Sequence, residues 1–236
     1  MLREIVLAEE IPTGHNAVMN VLPIKRPTCQ QCLRPSVSCI CQWISPCQNQ
    51  TEVILLQHPL EVSNAKGSAR LLHLSLRYSQ LLIGEQFDEQ QLLQLIENPS
   101  YLPEMTPVRT LLLYPDTTEN DAQDIQVLPP PKFVLETSDV QASQIRLIVL
   151  DATWRKSRKM LYRNPVLQGL PRFSLADMPA SHYRIRKAHK ADQLSTLEAT
   201  IYALMRLENA EDEYLRLLDA FDGFVGQQLA HIPRQC

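Results

Sequence analysis

The sequence predicts an α/β protein with a mainly parallel sheet, preceded by a small cysteine-rich knuckle. Three observations carry this reading. From residue 52 onward, short apolar runs alternate with amphipathic stretches of helical period, the pattern of strand–helix units that assemble a parallel sheet. Residues 26–47 hold five of the six cysteines and three prolines, which reads as a loop-rich knuckle. The apolar share of 44% is that of a globular chain, and no apolar run approaches the roughly 20 residues a membrane helix needs.

Residues 1–25 read as a polar lead-in. They carry three glutamates in the first 16 positions and no basic-then-apolar pattern, so secretion is excluded and the cytoplasm is the expected compartment. Thiols stay reduced there, so clustered cysteines point to metal rather than to disulfides. Residues 1–50 are expected to form an N-terminal segment with the knuckle, and residues 51–236 the α/β body. In that body EVILLQH (52–58) reads as a buried strand and NAKGSARLLHLSL (64–76) as a helix. SQLLIG (79–84) is the next strand and EQQLLQLIEN (89–98) the next helix. TLLLYP (110–115) and IRLIVLDAT (145–153) are further strands; TENDAQDIQ follows the first as a weak helix and WRKSRKMLYRN the second as a strong one. VLPPPK (127–132) is a stiff loop, since three prolines favour an extended path. One or two helices close the chain. Ser195 and Glu198 have capping-box spacing, and Leu197, Ile201, Leu204 and Met205 make an apolar stripe that Glu208 interrupts.

The net charge of −3 is unevenly spread. Residues 151–190 contain ten Lys or Arg against two Asp, a cationic block inside an acidic protein. Such a block suits a polyanion, although a solvated helix face gives the same signal.

Five stretches could carry chemistry. Cys29, Cys32, Cys39 and Cys41, spaced C-x2-C-x6-C-x-C, supply four thiolates for a closed tetrahedral site. A structural zinc is favoured and an iron–sulfur cluster is the rival; Cys47 is a spare ligand and Cys236 is set aside. Asp151 ends a strand ahead of a helix. Either Asp151 or Thr153 could cap that helix, or Asp151 could face the crevice beyond the strand ends, where ligands of parallel sheets gather. The cations Arg155, Lys156, Arg158, Lys159 and Arg163 behind it favour the second reading, as a carboxylate beside a phosphate-binding surface. His58 before Pro59 reads as a loop histidine. The segment AKGSAR (65–70) lacks the phosphate-loop pattern and is rejected as one. YRIRK (183–187) alternates cations with apolar residues, as a contact to a phosphate backbone or as a solvated edge.

Asp151-Ala152-Thr153-Trp154 resembles the D-x-T-W signature of the DTW-domain family. The pieces around it agree in order: the knuckle with Arg34-Pro35, QHPLE (57–61), LLYPD (112–116), LDATW, YRIRK and LSTLEA (194–199). The resemblance covers about residues 26–205. It implies a tRNA-uridine aminocarboxypropyltransferase, which moves the 3-amino-3-carboxypropyl group of S-adenosylmethionine to N3 of a uridine in tRNA. The implied fold is SPOUT-like, with a trefoil knot. Asp151 is then the catalytic residue that engages the uridine N3–H. Leu113, Tyr114, Pro115, Asp116, Thr153, Trp154, Ser195, Thr196 and Glu198 would form the cofactor pocket, with backbone N–H groups near Ser195 offered to the cofactor carboxylate. Arg155, Lys156, Arg158, Lys159, Arg184, Arg186 and Lys187 would hold the tRNA backbone. Neither DNA nor a membrane is an expected partner, and the oligomeric state is left open. The chain departs from the family after HPLE, where VSNAKGSARLL leaves Asn64, Lys66 and Arg70 open as holders of that segment's role. A methyltransferase of the related fold and a non-catalytic zinc-knuckle RNA binder are the alternative functions.

Overall fold

The computed structural model describes residues 27–98, 109–115, 141–175 and 194–230. Five strands make one sheet: β1 (Glu52–Gln57), β2 (Ser79–Ile83), β3 (Arg109–Leu113), β4 (Ile145–Asp151) and β5 (Arg172–Phe173). Their order across the sheet is β2-β1-β4-β3-β5, and every pairing is parallel. The expected parallel α/β body is therefore present. β1 and β4 are buried along their whole length, because helices cover both faces. This is why they read in sequence as unbroken apolar runs rather than as alternating ones.

The period of two sorts their side chains between two cores. Val53, Leu55, Leu147 and Val149 face α1 (Ala69–Ser75), α5 (Thr196–Glu208) and α6 (Glu211–Ala230). Ile54, Leu56, Ile148 and Leu150 face α2 (Glu89–Glu97), α3 (Trp154–Arg163) and the short α4 (Pro165–Gln168). Truncating any of these fully buried leucines to alanine would cost about 2–5 kcal/mol.

Helix boundaries follow local chemistry. Asp88 caps α2 by accepting from Gln91 N at 2.9 Å. The helix expected from residue 64 starts later, at Ala69, because Asn64 closes a turn onto the Lys66 N–H at 3.0 Å. The Ser195–Glu198 capping box forms as its spacing predicts. Asn209, at φ 50°, stops α5 in a left-handed step that asparagine tolerates, so the closing helical stretch is two helices. The weak helix expected at residues 118–126 and the stiff loop at 127–132 lie outside the described residues.

The knuckle is welded to the body. Cys32 and Ile40 belong to the core shared by α5 and α6. Trp43 lies on Gly223 of α6, where an added Cβ would come within 2.1 Å of the indole, so only glycine fits. The indole N–H donates to Gln227, whose amide donates to Cys39 O at 3.1 Å. Arg34 donates to Ala65 O and Gly67 O, both at 2.7 Å, and its guanidinium sits 5.2 Å from the Phe224 ring centre.

Candidate functional site

Asp151 ends β4, the central strand, at the carboxyl edge of the sheet. It is buried, and both carboxylate oxygens are acceptors: Gln57 Nε2 donates to Oδ2 at 2.8 Å and Thr196 Oγ1 to Oδ1 at 2.7 Å. Each oxygen of an ionised carboxylate offers two lone-pair sites and can accept more than one donor. Gln57 stands in register beside Asp151 across the β1–β4 pair. Thr196 arrives from the first turn of α5. Three elements far apart in sequence thus converge on one carboxylate. Asp151 does not cap α3; Thr153 holds the cap position without a side-chain hydrogen bond.

Trp154 opens α3 and is 43% exposed. It stacks on the buried Tyr114 with ring centres 5.1 Å apart and planes 13° from parallel. The Tyr114 hydroxyl lies 3.4 Å from Ser157 Oγ, which itself donates to Trp154 O at 2.9 Å. The Arg172 guanidinium sits 4.8 Å from the Tyr114 ring centre. The indole is consequently a firm ledge at the start of α3, three residues after Asp151, with an aromatic face suited to a base or to a cation.

The residues expected around a cofactor divide. Tyr114, Thr153, Trp154 and Thr196 gather at this edge. Leu113 packs into the α1/α5/α6 core and Pro115 is exposed. Ser195 and Glu198 are buried and serve each other: Glu198 Oε2 accepts from Ser195 N at 2.7 Å, and Ser195 Oγ from Glu198 N at 3.1 Å. Leu197 N donates to Ser68 Oγ at 3.3 Å. These N–H groups of α5, expected to meet a ligand carboxylate, are thus filled from within the protein. Asp116 lies outside the described residues, as do Arg184, Arg186 and Lys187.

The basic helix is partly neutralised. Glu61, in the turn after β1, holds Lys156 at 2.8 Å, and Asn64 donates to the same carboxylate at 2.8 Å. Glu85, after β2, lies 2.8 Å from Lys159, 3.3 Å from Arg163 and 3.5 Å from His58. The hydrogen bond from Lys159 first, then the charge of Arg163, holds the Glu85 carboxyl below its ordinary range. The Glu85 pairs, with Lys159 and Arg163 about half exposed, are worth little individually, whereas Lys156 and Glu61 are the more buried pair. Arg155 is exposed. Arg158 buries its Nε with no hydrogen-bond partner among the described residues. Of the residues left open after HPLE, Arg70 braces the knuckle through Gln31 O at 3.1 Å, and Asn64 shapes the turn. His58 Nδ1 accepts from Leu60 N at 3.1 Å, as a loop histidine would.

Cys29, Cys32, Cys39 and Cys41 place their sulfurs within 4.8 Å of one another. Cys29 and Cys41 are 3.6 Å apart, and Cys32 and Cys39 3.7 Å. A tetrahedron with metal–sulfur bonds of about 2.3 Å has edges of about 3.8 Å, so the four fit one ion. They are too far apart for disulfides, whose bond is about 2.05 Å. Leu33, at φ 59°, turns the chain so that the Cys32 and Gln31 backbone draws the Cys29 thiol down to about 6. Burial and the neighbouring thiols push Cys41 up to about 12. A cation would relieve that mutual repulsion. Cys47 is no spare ligand: it is buried apart, donating to Ser45 O at 3.4 Å and Glu213 O at 3.8 Å.

A cavity of about 540 Å³ lies elsewhere, between α5 and α6, lined by Tyr202, Met205 and Leu215 with Glu211, Asp219 and Asp222. Arg206 also lines it, but Glu198 and the other acids outnumber that one cation, which suits neither an RNA phosphate nor a carboxylate-bearing donor. The signal for Gln57, Glu61 and Glu85 was weak in sequence, because each acts through a register or a loop contact.

The DTW domain model matches residues 26–229. A Mus musculus protein named tRNA-uridine aminocarboxypropyltransferase 2 is 30% identical over 218 residues, covering 88% of this chain and 66% of that protein. The Macaca fascicularis protein of that name is 28% identical over 215 residues, with the same two shares of 88% and 66%. The Drosophila melanogaster one is 28% identical over 195 residues, 79% of this chain and 69% of that protein. The chain thus spans about two thirds of the length of these relatives. No solved structure matches.

Proposed function

Because the chain belongs to the DTW domain family, we propose that it transfers the 3-amino-3-carboxypropyl group of S-adenosylmethionine to N3 of a uridine in tRNA. The observation that carries the reading is the Asp151 edge: a buried carboxylate that accepts from Gln57 and Thr196, with the exposed indole of Trp154 three residues on. The names of the relatives supply the reaction class.

S-adenosylmethionine supplies a carbon already activated by its sulfonium, so no covalent enzyme intermediate is needed. The protein's tasks are aim and proton transfer. Asp151 accepts the hydrogen bond of the uridine N3–H and takes up its proton as N3 bonds to that carbon and the carbon–sulfur bond breaks. Trp154, backed by Tyr114, gives the sulfonium or the uracil an aromatic face. Arg155 and Arg158, with Lys156 and Lys159 released from their carboxylates, meet tRNA phosphates. Arg184, Arg186 and Lys187 extend that surface in this reading. The four cysteines hold a structural zinc, since a closed set of four thiolates leaves no open position for catalysis.

The fold reading extends to a SPOUT-like sheet with a trefoil knot. Its support is the placement of β5 beside β3 and the return of α5 to Asp151; residues 116–140 and 176–193, which would carry the threading, lie outside the described residues. No helix among the described residues is long and apolar enough to cross a membrane. A cytoplasmic enzyme meeting free tRNA is the compartment we propose.

The test is incubation of the purified chain with S-adenosylmethionine and unmodified tRNA, followed by nucleoside mass analysis. A uridine heavier by one aminocarboxypropyl group is the expected product. A methyl increment would replace this reading with a methyltransferase. An unchanged tRNA that still binds would leave an RNA-binding protein.

A further inference from the structure

We infer that Gln57 is the positioning residue of this edge: its side-chain amide sets the rotation of Asp151 so that one carboxylate oxygen faces the uridine N3–H. The inference rests on the transferase reading above and adds to it a residue outside the D-x-T-W motif. Gln57 and Asp151 end neighbouring parallel strands in direct register. They are 5% and 6% exposed, and Nε2 lies 2.8 Å from Oδ2. The torsion that spins a carboxylate about its last bond is broad when left alone. Two donors from different elements, Gln57 on β1 and Thr196 on α5, fix it. Aim matters in such a transfer, where a misplacement of about 1 Å costs on the order of 10²-fold.

The chemistry of the residue fits the task. An amide donates to the carboxylate without neutralising it. A lysine or arginine in the same register would form an ion pair and compete with the uracil for the same oxygens. A second carboxylate would repel Asp151 or take a proton from it. Gln57 is also part of the sheet, so it is in place before any ligand arrives, and neither oxygen of Asp151 must reorganise during the reaction.

The test uses full-length Gln57→Leu and Gln57→Glu proteins beside wild type, with S-adenosylmethionine and tRNA, and with tRNA binding as the check on folding. Gln57→Leu removes one hydrogen bond to a charged group, so kcat falls roughly 10- to 100-fold. KM for both substrates stays within about twofold, since Gln57 is buried and acts through Asp151. Gln57→Glu keeps the size, but the introduced carboxyl donates only when protonated. Its activity relative to wild type therefore rises as pH is lowered. The other titratable and charged groups that the described residues place at this edge, His58, Glu61 with Lys156, and Glu85 with Lys159 and Arg163, are common to both proteins and cancel in that ratio. A ratio independent of pH, or a Gln57→Leu loss confined to KM, overturns the inference. If wild type itself shows no turnover, the transferase reading fails. The amide contact is then read by NMR, where the Gln57 side-chain signals shift in Asp151→Asn; signals that ignore Asp151→Asn overturn the contact as well.

Discussion

Strands β1 and β4 carry a buried polar pair at each end, in the same register, with opposite consequences. At the amino end Glu52 faces Arg146, both fully buried, at 2.6 Å. The Arg146 guanidinium also donates to Asn98 O at 2.6 Å and to Leu95 O, the free carbonyls at the end of α2. Gln80 donates to the second Glu52 oxygen at 3.2 Å. That end is closed, with charge matched by charge and the helix terminus filled. At the carboxyl end the amide of Gln57 and the hydroxyl of Thr196 both donate to Asp151, three residues before the exposed Trp154. A buried charge is therefore not in itself a site. Under the proposed function it is the carboxylate at the ligand edge of the parallel sheet, accepting from Gln57 and Thr196, that acts on the substrate.

Breaking the closed end should unfold the protein most. Arg146→Leu strands the Glu52 carboxylate in the core, and urea unfolding should show a loss of about 3–5 kcal/mol. An Asp151→Asn protein in the same experiment should lose far less. Equal losses would erase the distinction between the two ends.

Metal removal probes how the knuckle supports the open end. Freshly purified protein should carry about one zinc per chain, and chelation should lower the thermal midpoint. Arg34 ties the knuckle to the Ala65–Gly67 loop, which continues from Glu61 toward Ser68, the residue that receives Leu197 N. Activity should fall with stability. Iron by metal analysis, or an unchanged midpoint, would contradict the zinc assignment.

The open end should also be the wet, ionic end. Arg155→Ala should weaken tRNA binding and lower the slope of log affinity against log salt by about one. An unchanged slope would remove α3 from the RNA surface. The smallest effect belongs to Glu85. Its lowered folded value means its stabilisation is present above the ordinary carboxylate range and is lost as pH falls through that lowered value. The midpoint difference between wild type and Glu85→Gln should shrink as the solution is acidified; a difference that grows would reverse the assigned role.

How much of this was legible in sequence follows the range of the interactions. β1 and β4 were readable because burial on both faces leaves unbroken apolar runs. The Ser195–Glu198 box was readable because it spans one helical turn. β5, with two residues, was too short to show a period. The basic block was visible as charge, but Glu61 and Glu85 lie 95 and 74 positions ahead of Lys156 and Lys159, so the neutralisation was not. The D-x-T-W stretch marked Asp151, whereas the sheet register that brings Gln57 to it spans 94 positions and leaves no local pattern.

The measurement that goes furthest is single-turnover transfer by Asp151→Asn, with tRNA affinity and thermal midpoint recorded on the same preparation. The account predicts a loss of roughly 10²- to 10⁴-fold in the transfer step, with tRNA binding and stability close to wild type. Transfer at the wild-type rate by that folded variant would contradict the assignment of Asp151 as the group that meets the uridine.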